Sequence, residues 1–212
     1  MLAWLGRIIE ARAAKSEATI IVALDGPSGA GKSSIASALA PVLPAAILPT
    51  DDFFAAQITG AEWDARTPRE RARDAIDWVR LRGLALEPLR AGRPAVWSPF
   101  DFAGGERLDG SYAISARTER CDPAPVILVD GAYSSRPELA DLIDLSVLID
   151  ASEAVRSVRL AARESADFLR AWHDRWDGAE AYYFRYVRPP SSFDVVVDTV
   201  SESVRDQRPV QR

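Results

Sequence analysis

Apolar positions along this chain fall into two patterns. Residues 20–24, 45–48, 126–130, 145–149 and 193–197 form short, nearly unbroken apolar runs, the mark of strands buried on both faces. Between them the spacing turns helical. Leu2, Leu5, Ile8 and Ile9 share one face of a helix over residues 1–14, which we expect to pack beside the first strand. Residues 34–40 carry good helix formers up to Pro41. Thr67-Pro68-Arg69-Glu70 opens another helix, with Thr67 as N-cap, Pro68 in the first turn and Glu70 closing a capping box. Its inward residues are Ala72, Ile76, Val79 and Trp78; Gly83 weakens or breaks it, and a second piece over 84–90 ends at Gly92. Asp150 with Glu153 predicts a cap for a helix running on through Arg156, Arg159, Arg163, Arg170 and Arg175. Residues 55–66 read as a loop, 95–98 and 112–118 as peripheral strands, 137–143 as a short helix, and the polar stretch from Ser201 as a frayed end. Five core strands alternating with helices predict an α/β fold, a parallel sheet covered on both faces.

The first strand runs into Gly26-Pro27-Ser28-Gly29-Ala30-Gly31-Lys32-Ser33, followed by Ser34 and a helix. This is a full match to G-x-x-x-x-G-K-[ST] in its proper strand-loop-helix setting. Glycines let the backbone curl until its N–H groups converge on phosphate oxygens, and the helix N-terminus adds positive potential. Lys32 suits the β- and γ-phosphates and the Ser33 hydroxyl suits Mg²⁺. The match carries weight because the chain has only two lysines, Lys15 and Lys32.

Composition narrows the partners. The chain has 212 residues, 48% of them hydrophobic, enough for one domain with a sizeable core. A net charge of -5 argues against a general nucleic-acid binder. One cysteine, Cys121, and one histidine, His173, leave no disulfide framework or structural zinc site and suit a reducing cytoplasm. No apolar run approaches the ~20 residues of a membrane span, and Arg7, Glu10 and Arg12 interrupt the N-terminus where a signal peptide would be apolar.

Further candidate residues cluster at predicted strand ends. Asp51 and Asp52 follow the second strand, and Asp130 ends the 126–130 run. The C-terminal edge of an open α/β sheet is where ligands bind, and an acid there in phosphate-loop proteins often holds Mg²⁺. If residues 50–54 are extended, Asp51 and Asp52 point to opposite sides. Phe100-Asp101-Phe102 with Gly104 and Gly105 suits either a pocket for a flat molecule or a hairpin whose aromatics plug the core. Arg156, Arg159 and Arg163 follow three- and four-residue steps; such a face is ordinarily solvated, or here closes over a triphosphate. Trp172, Trp176, Tyr182, Tyr183, Phe184 and Tyr186 crowd the following stretch.

Taken together, these features resemble the uridine kinase and phosphoribulokinase branch of P-loop small-molecule kinases, over residues 19–198. The resemblance rests on the glycine loop, on Thr50-Asp51-Asp52-Phe53-Phe54, on Phe100-Asp101-Phe102, and on the apolar strand ending in Asp130-Gly131. It implies a three-layer α/β/α P-loop fold with a five-stranded parallel sheet of order 2-3-1-4-5. It implies one kinase domain over 1–212, with an N-terminal helix in 1–18, a lid and following helix in about 151–190, and a tail in 201–212. It implies ATP and Mg²⁺, with Gly26, Pro27, Ser28, Gly29, Ala30, Gly31, Lys32, Ser33 and Ser34 around the nucleotide and Ser33, Asp51 and Asp130 at the metal. Lys32, Arg159 and Arg163 would approach the phosphates, and Asp51, with Asp52 as the alternative, would accept the proton of the attacking hydroxyl. Asp52, Phe54, Phe100 and Phe102 would meet a small-molecule acceptor. The family's histidine that reads the base is replaced by Gly104 and Gly105, and a tyrosine by Phe100, which sets uridine itself in question. Nucleic-acid and membrane partners are not expected, and a homo-oligomer is left open. Two rivals are an ATP-binding regulatory module, which transfers nothing, and an acceptor-independent NTPase.

Overall fold

Burial along the first elements already fixes the layering. In the computed structural model, which describes residues 1–207, α1 (Leu2–Ala13) buries Leu5 and Ile9 completely. All six residues of β1 (Ile20–Asp25) are buried, as a central strand requires. The chain continues through α2 (Lys32–Leu39), β2 (Ala45–Pro49), α3 (Gly60–Ala65), α4 (Pro68–Asp74), α5 (Trp78–Leu81) and α6 (Glu87–Arg90). The short strands β3 (Ala95–Trp97) and β4 (Glu119–Cys121) pair antiparallel beside the main sheet. Then come β5 (Val126–Asp130), β6 (Leu145–Asp150), α7 (Glu153–Ala161), α8 (Ala166–Tyr182), β7 (Val195–Asp198) and β8 (Ser203–Asp206).

The main sheet has the order β2-β5-β1-β6-β7-β8. Its first five strands are parallel and β8 joins antiparallel. Alternate residues of β1 feed two cores. Ile20, Val22 and Leu24 pack with α1 and α2 below, while Ile21 faces the layer built by α4, α5, α6 and α8 above.

Several local expectations need correction. The sheet has six strands, because residues 203–206 form an edge strand where a frayed end was expected; residues 208–212 of that tail lie outside the described residues. The hairpin is held by Asp198 Oδ1, which accepts from Val200 N at 2.8 Å and Ser201 N at 3.2 Å. Val204 supplies its small apolar contribution to the core, too little to stand out among polar neighbours. Within 55–66 lies α3, opened by a Thr59–Glu62 capping box. Gly83 does not end its helix: residues 82–86 continue as one wide π turn into α6. Residues 112–118 do not form the expected peripheral strand but make one isolated bridge, Phe100 to Ile114, and β3 pairs with 119–121. The arginine-bearing helix stops at Ala161 and restarts at Ala166, because Ser165 accepts from Phe168 N and so caps a new helix. The cap position before α7 is Ser152 and not Asp150.

Candidate active site

At the end of β1 the chain turns through Gly26, Gly29 and Gly31, with φ of 152°, 77° and 105°. A side chain at Gly26 would stand 2.1 Å from the Ile149 carbonyl oxygen, and one at Gly29 would stand 2.8 Å from that of Arg156. Only glycine fits there. The turn is anchored from behind by Asp25, which is fully buried. Its carboxylate accepts from Gly26 N at 2.8 Å, Tyr133 N at 2.9 Å, Ser135 N at 3.0 Å, Ser135 Oγ at 2.6 Å and Tyr183 Oη at 2.8 Å. Glu180 of α8 grips the loop two residues past Gly26, accepting from Ser28 N at 3.0 Å and from Ser28 Oγ. Neither acid stands out in the sequence. Asp25 reads as the end of a strand, and Glu180 shows only as the last member of a four-residue step: Phe168, Trp172, Trp176, Glu180.

Lys32 lines the cleft above the loop, with Nζ folded back onto the Gly26 carbonyl at 2.8 Å and the Pro27 carbonyl at 3.1 Å. Ser33 and Ser34 line the same cleft. Arg156 and Arg159 hold the outside of the loop. Arg156 donates to Ser28 O at 3.3 Å, and Arg159 donates to Ala30 O and Thr199 Oγ1, each at 3.0 Å. The three arginines do not share a helical face, because Arg163 falls in the break after α7, where it pairs with Glu164 at 2.7 Å. Arg159 and Arg163 both reach the cleft.

The acids meet because the strands register. Pro49 of β2 lies beside Asp130 of β5, which also pairs with Leu24 of β1. Thr50 Oγ1 donates to Asp130 O at 3.3 Å, and a side chain at Gly131 would stand 1.7 Å from that hydroxyl. This close approach brings Asp51 near Asp130 in the cleft, beside Lys32 and Ser33. Residues 50–53 form a 3₁₀ turn, so the two neighbouring acids separate through turn geometry and not through strand alternation. Asp51 opens into the cleft. Asp52 turns away and accepts from Trp97 Nε1 at 2.8 Å.

Electrostatics follow from this packing. Desolvation by surrounding protein raises the Asp51 carboxyl above its ordinary 3.8, Lys32 pulls it down, and Asp130 pushes it up again. Desolvation likewise raises Asp130, against the lowering effect of a hydrogen bond with Ser33 and of the Lys32 charge. Asp130 Oδ1 is buried without a hydrogen-bond partner. Two crowded carboxylates, one with an orphaned oxygen, beside a serine hydroxyl form a hard oxygen donor set that fits Mg²⁺. Among the described residues no group of three or more His, Cys, Asp or Glu side chains could hold a metal. Mg²⁺ at a phosphate site needs only one or two carboxylates besides phosphate and water.

The cleft has a volume of about 820 Å³. Its far half is aromatic. Phe54 and Phe102 line one wall, and Phe168, Trp172 and Trp176 of α8 line the other. Phe100 and Asp52 stand behind the wall: Phe100 is 7% exposed and supports Phe102 and Phe54 at ring-centroid distances of 4.6 and 5.2 Å. Of residues 100–102, one ring thus plugs the core and the other faces the cleft. Sequence reasoning missed the α8 wall, whose signal was the four-residue aromatic step.

No protein-family model matches the chain. Among curated proteins it is 24% identical to "Uridine kinase" of Borrelia turicatae (strain 91E135) over 183 residues, 84% of this chain and 85% of that protein. It is 25% identical to "Uridine kinase" of Streptococcus pyogenes serotype M5 (strain Manfredo) over 187 residues, 84% and 86% of the two chains. Identity reaches 31% with "Uridine-cytidine kinase C" of Dictyostelium discoideum, over 149 residues that cover 68% of this chain and 30% of that protein. A solved structure described as a possible uridine kinase from Bacillus stearothermophilus superposes with a TM-score of 0.65 at 18% identity, covering 92% of this chain and 96% of that one. A kinase assigned provisionally to a fructose transport system in Silicibacter sp. TM1040 gives 0.64 at 24% identity, over 90% and 96% of the chains. No described helix is long and apolar enough to cross a membrane. The glycine loop, the strand-tip acids and these likenesses agree: the chain has the fold of a P-loop kinase and is similar in sequence to the uridine kinases.

Proposed function

We propose that the protein is an ATP- and Mg²⁺-dependent kinase that phosphorylates a hydroxyl of a small, nucleoside-like metabolite. The supporting observation is the meeting of Lys32, Ser33, Asp51 and Asp130 in one cleft over a preformed glycine loop. Loop N–H groups and Lys32 would take the β- and γ-phosphates, with Arg159 and Arg163 closing from the lid side. Ser33, Asp130 and Asp51 would hold Mg²⁺, which supplies charge neutralisation at the phosphates. Asp51 accepts the proton of the acceptor hydroxyl as that oxygen bonds to the γ-phosphorus. The bond from phosphorus to the β–γ bridging oxygen breaks, and ADP leaves with that electron pair. Asp52, bonded to Trp97, orients the wall and does not take the proton. The single cysteine accords with work in a reducing cytoplasm.

The test is ADP release measured with nucleosides, nicotinamide riboside, pantothenate and sugars as acceptors. Stimulation by one class and its loss in Asp51→Asn is the expected result. Stimulation by none, at an ADP rate set by ATP alone, would remove the kinase reading.

A further inference from the structure

Glu180 stands where two spaces meet. It lines the cleft together with Ser28, Lys32 and Asp51. With Ser28 it also lines a second cavity of about 300 Å³, on the side of the glycine loop where Arg156 lies. The side chain is buried, with the residue 6% exposed. Its carboxylate engages one residue, Ser28, whose N–H donates at 3.0 Å and whose Oγ donates at 2.5 Å. Arg156 Nη1 stays 4.0 Å from the carboxylate and donates instead to Ser28 O at 3.3 Å.

Two donors near this carboxylate have no partner. Arg156 Nε and Tyr133 Oη are both buried without a hydrogen bond. Burial holds the Tyr133 hydroxyl well above its ordinary 10, and Glu180 is the neighbouring charge that adds most to that rise. Tyr133 is also kept in a strained place. Its φ is 67°, a left-handed backbone that bulky residues seldom adopt, and its N–H is fixed by Asp25 at 2.9 Å. Orphaned buried donors are costly to leave unmade. A carboxylate that lets go of Ser28 finds both of them waiting, so bonds lost on one side are replaced on the other.

Ser28 N–H is a loop donor of the kind that phosphate oxygens take. The cleft beyond the loop is walled by Trp172 and Trp176 of α8, so the end of a triphosphate that faces the acceptor also faces α8. A carboxylate and a phosphate at one donor repel. Building on the kinase reading above, we propose that Glu180 is a positioning residue that yields Ser28 to the terminal phosphate of the nucleotide and turns its carboxylate to Arg156 Nε and Tyr133 Oη. Glu180 follows Trp172 and Trp176 in four-residue steps on α8, so the exchange links filling of the phosphate loop to the placing of the acceptor wall.

The experiment measures Kd by titration calorimetry, in Mg²⁺, for β,γ-methylene-ATP and for ADP. The proteins are the wild-type chain, Glu180→Gln, Ser28→Ala, Tyr133→Phe and the Glu180→Gln/Tyr133→Phe pair. A competing carboxylate and a static anchor predict opposite signs. Glu180→Gln should tighten the ATP analogue by roughly tenfold, inside the 5–150-fold span of ordinary coupling, and leave ADP within about twofold. Ser28→Ala, which drops the Oγ bond, should move the analogue in the same direction. Tyr133→Phe should weaken the analogue in the wild-type chain and do nothing beside Glu180→Gln, since the receiving donor matters only when a charge must move. Unchanged or weaker analogue binding by Glu180→Gln would make Glu180 a static anchor and overturn the inference. Equal effects of Tyr133→Phe in both backgrounds would overturn it too. Either result leaves the kinase reading intact, because that reading stands on the acceptor assay. A wild-type chain that binds neither nucleotide would sink the kinase reading and this inference with it.

Discussion

Replacing Asp25 tests whether the phosphate loop is preformed by an acid the ligand never touches. Its carboxylate receives five hydrogen bonds, from Gly26 N, Tyr133 N, Ser135 N, Ser135 Oγ and Tyr183 Oη, within 2.6–3.0 Å. Asp25→Ala strands these donors around a small void with no acceptor in reach. Each bond to a charged acceptor is worth about 1.5–3 kcal/mol, but five donors in one network do not add. A loss of about 4 kcal/mol is the expected scale, at the high end for one substitution. For a chain of this length each kcal/mol moves Tm by about 2–4 °C, so the midpoint should fall by about 8–16 °C. Asp25→Asn keeps the shape and part of the acceptor capacity and should fall between Ala and wild type. Tyr183→Phe removes one donor and should cost about 1.5–3 kcal/mol. Thermal and urea unfolding followed by circular dichroism gives all three values. If Asp25→Ala loses less than about 1 kcal/mol, the donors are satisfied without the carboxylate and the anchoring argument fails.

Lys32→Ala should abolish ADP formation with a normal dichroism spectrum, since its two loop-carbonyl bonds are worth about 1.5–3 kcal/mol each and the core it leaves is untouched; retained activity would remove the phosphate-site reading. Asp51→Asn should cut transfer by roughly a hundredfold or more while ATP binding persists; if Asp52→Asn does so instead, the base is the other acid. The same variant carries a pH signature. Desolvation by the surrounding cleft walls raises the folded-state pKa of Asp51 above 3.8, although the side chain still opens to solvent, so its contribution to stability is complete below 3.8 and is partly lost as pH rises through the folded value. Nucleotide-free Asp51→Asn should therefore gain Tm over wild type progressively from acid to neutral pH, and a gain that does not grow with pH refutes the desolvation argument. Arg163→Ala should lower turnover at saturating ATP with little change in Tm, because Arg163 is itself exposed and its ion pair with Glu164 at the α7 break is a surface one; an unchanged rate returns it to an ordinary surface role.

Features that depend on local pattern and backbone chemistry were legible along the chain. Continuous apolar runs marked the parallel strands, because a strand buried on both faces has no polar alternation to hide it. The glycine loop was legible because its turn admits no other residue at Gly26 or Gly29. The Thr67–Glu70 cap was legible because both its bonds are made within four residues. What failed locally failed for want of such a signal: the restart at Ser165 lies inside good helix-forming sequence, and β8 contributes one small apolar residue. The folded chain settled which acid faces the cleft, since Asp52 is drawn away by Trp97, 45 residues on, while the 3₁₀ turn at 50–53 leaves Asp51 on the cleft side. It also decided that Arg156 and Arg159 end on loop carbonyls, and that Glu180 and Tyr183, more than 150 positions from Asp25 and Ser28, tie the end of α8 to the glycine turn. These contacts depend on where a distant helix docks, and that is set by packing of whole apolar faces, which leaves the sequence around each polar partner unmarked.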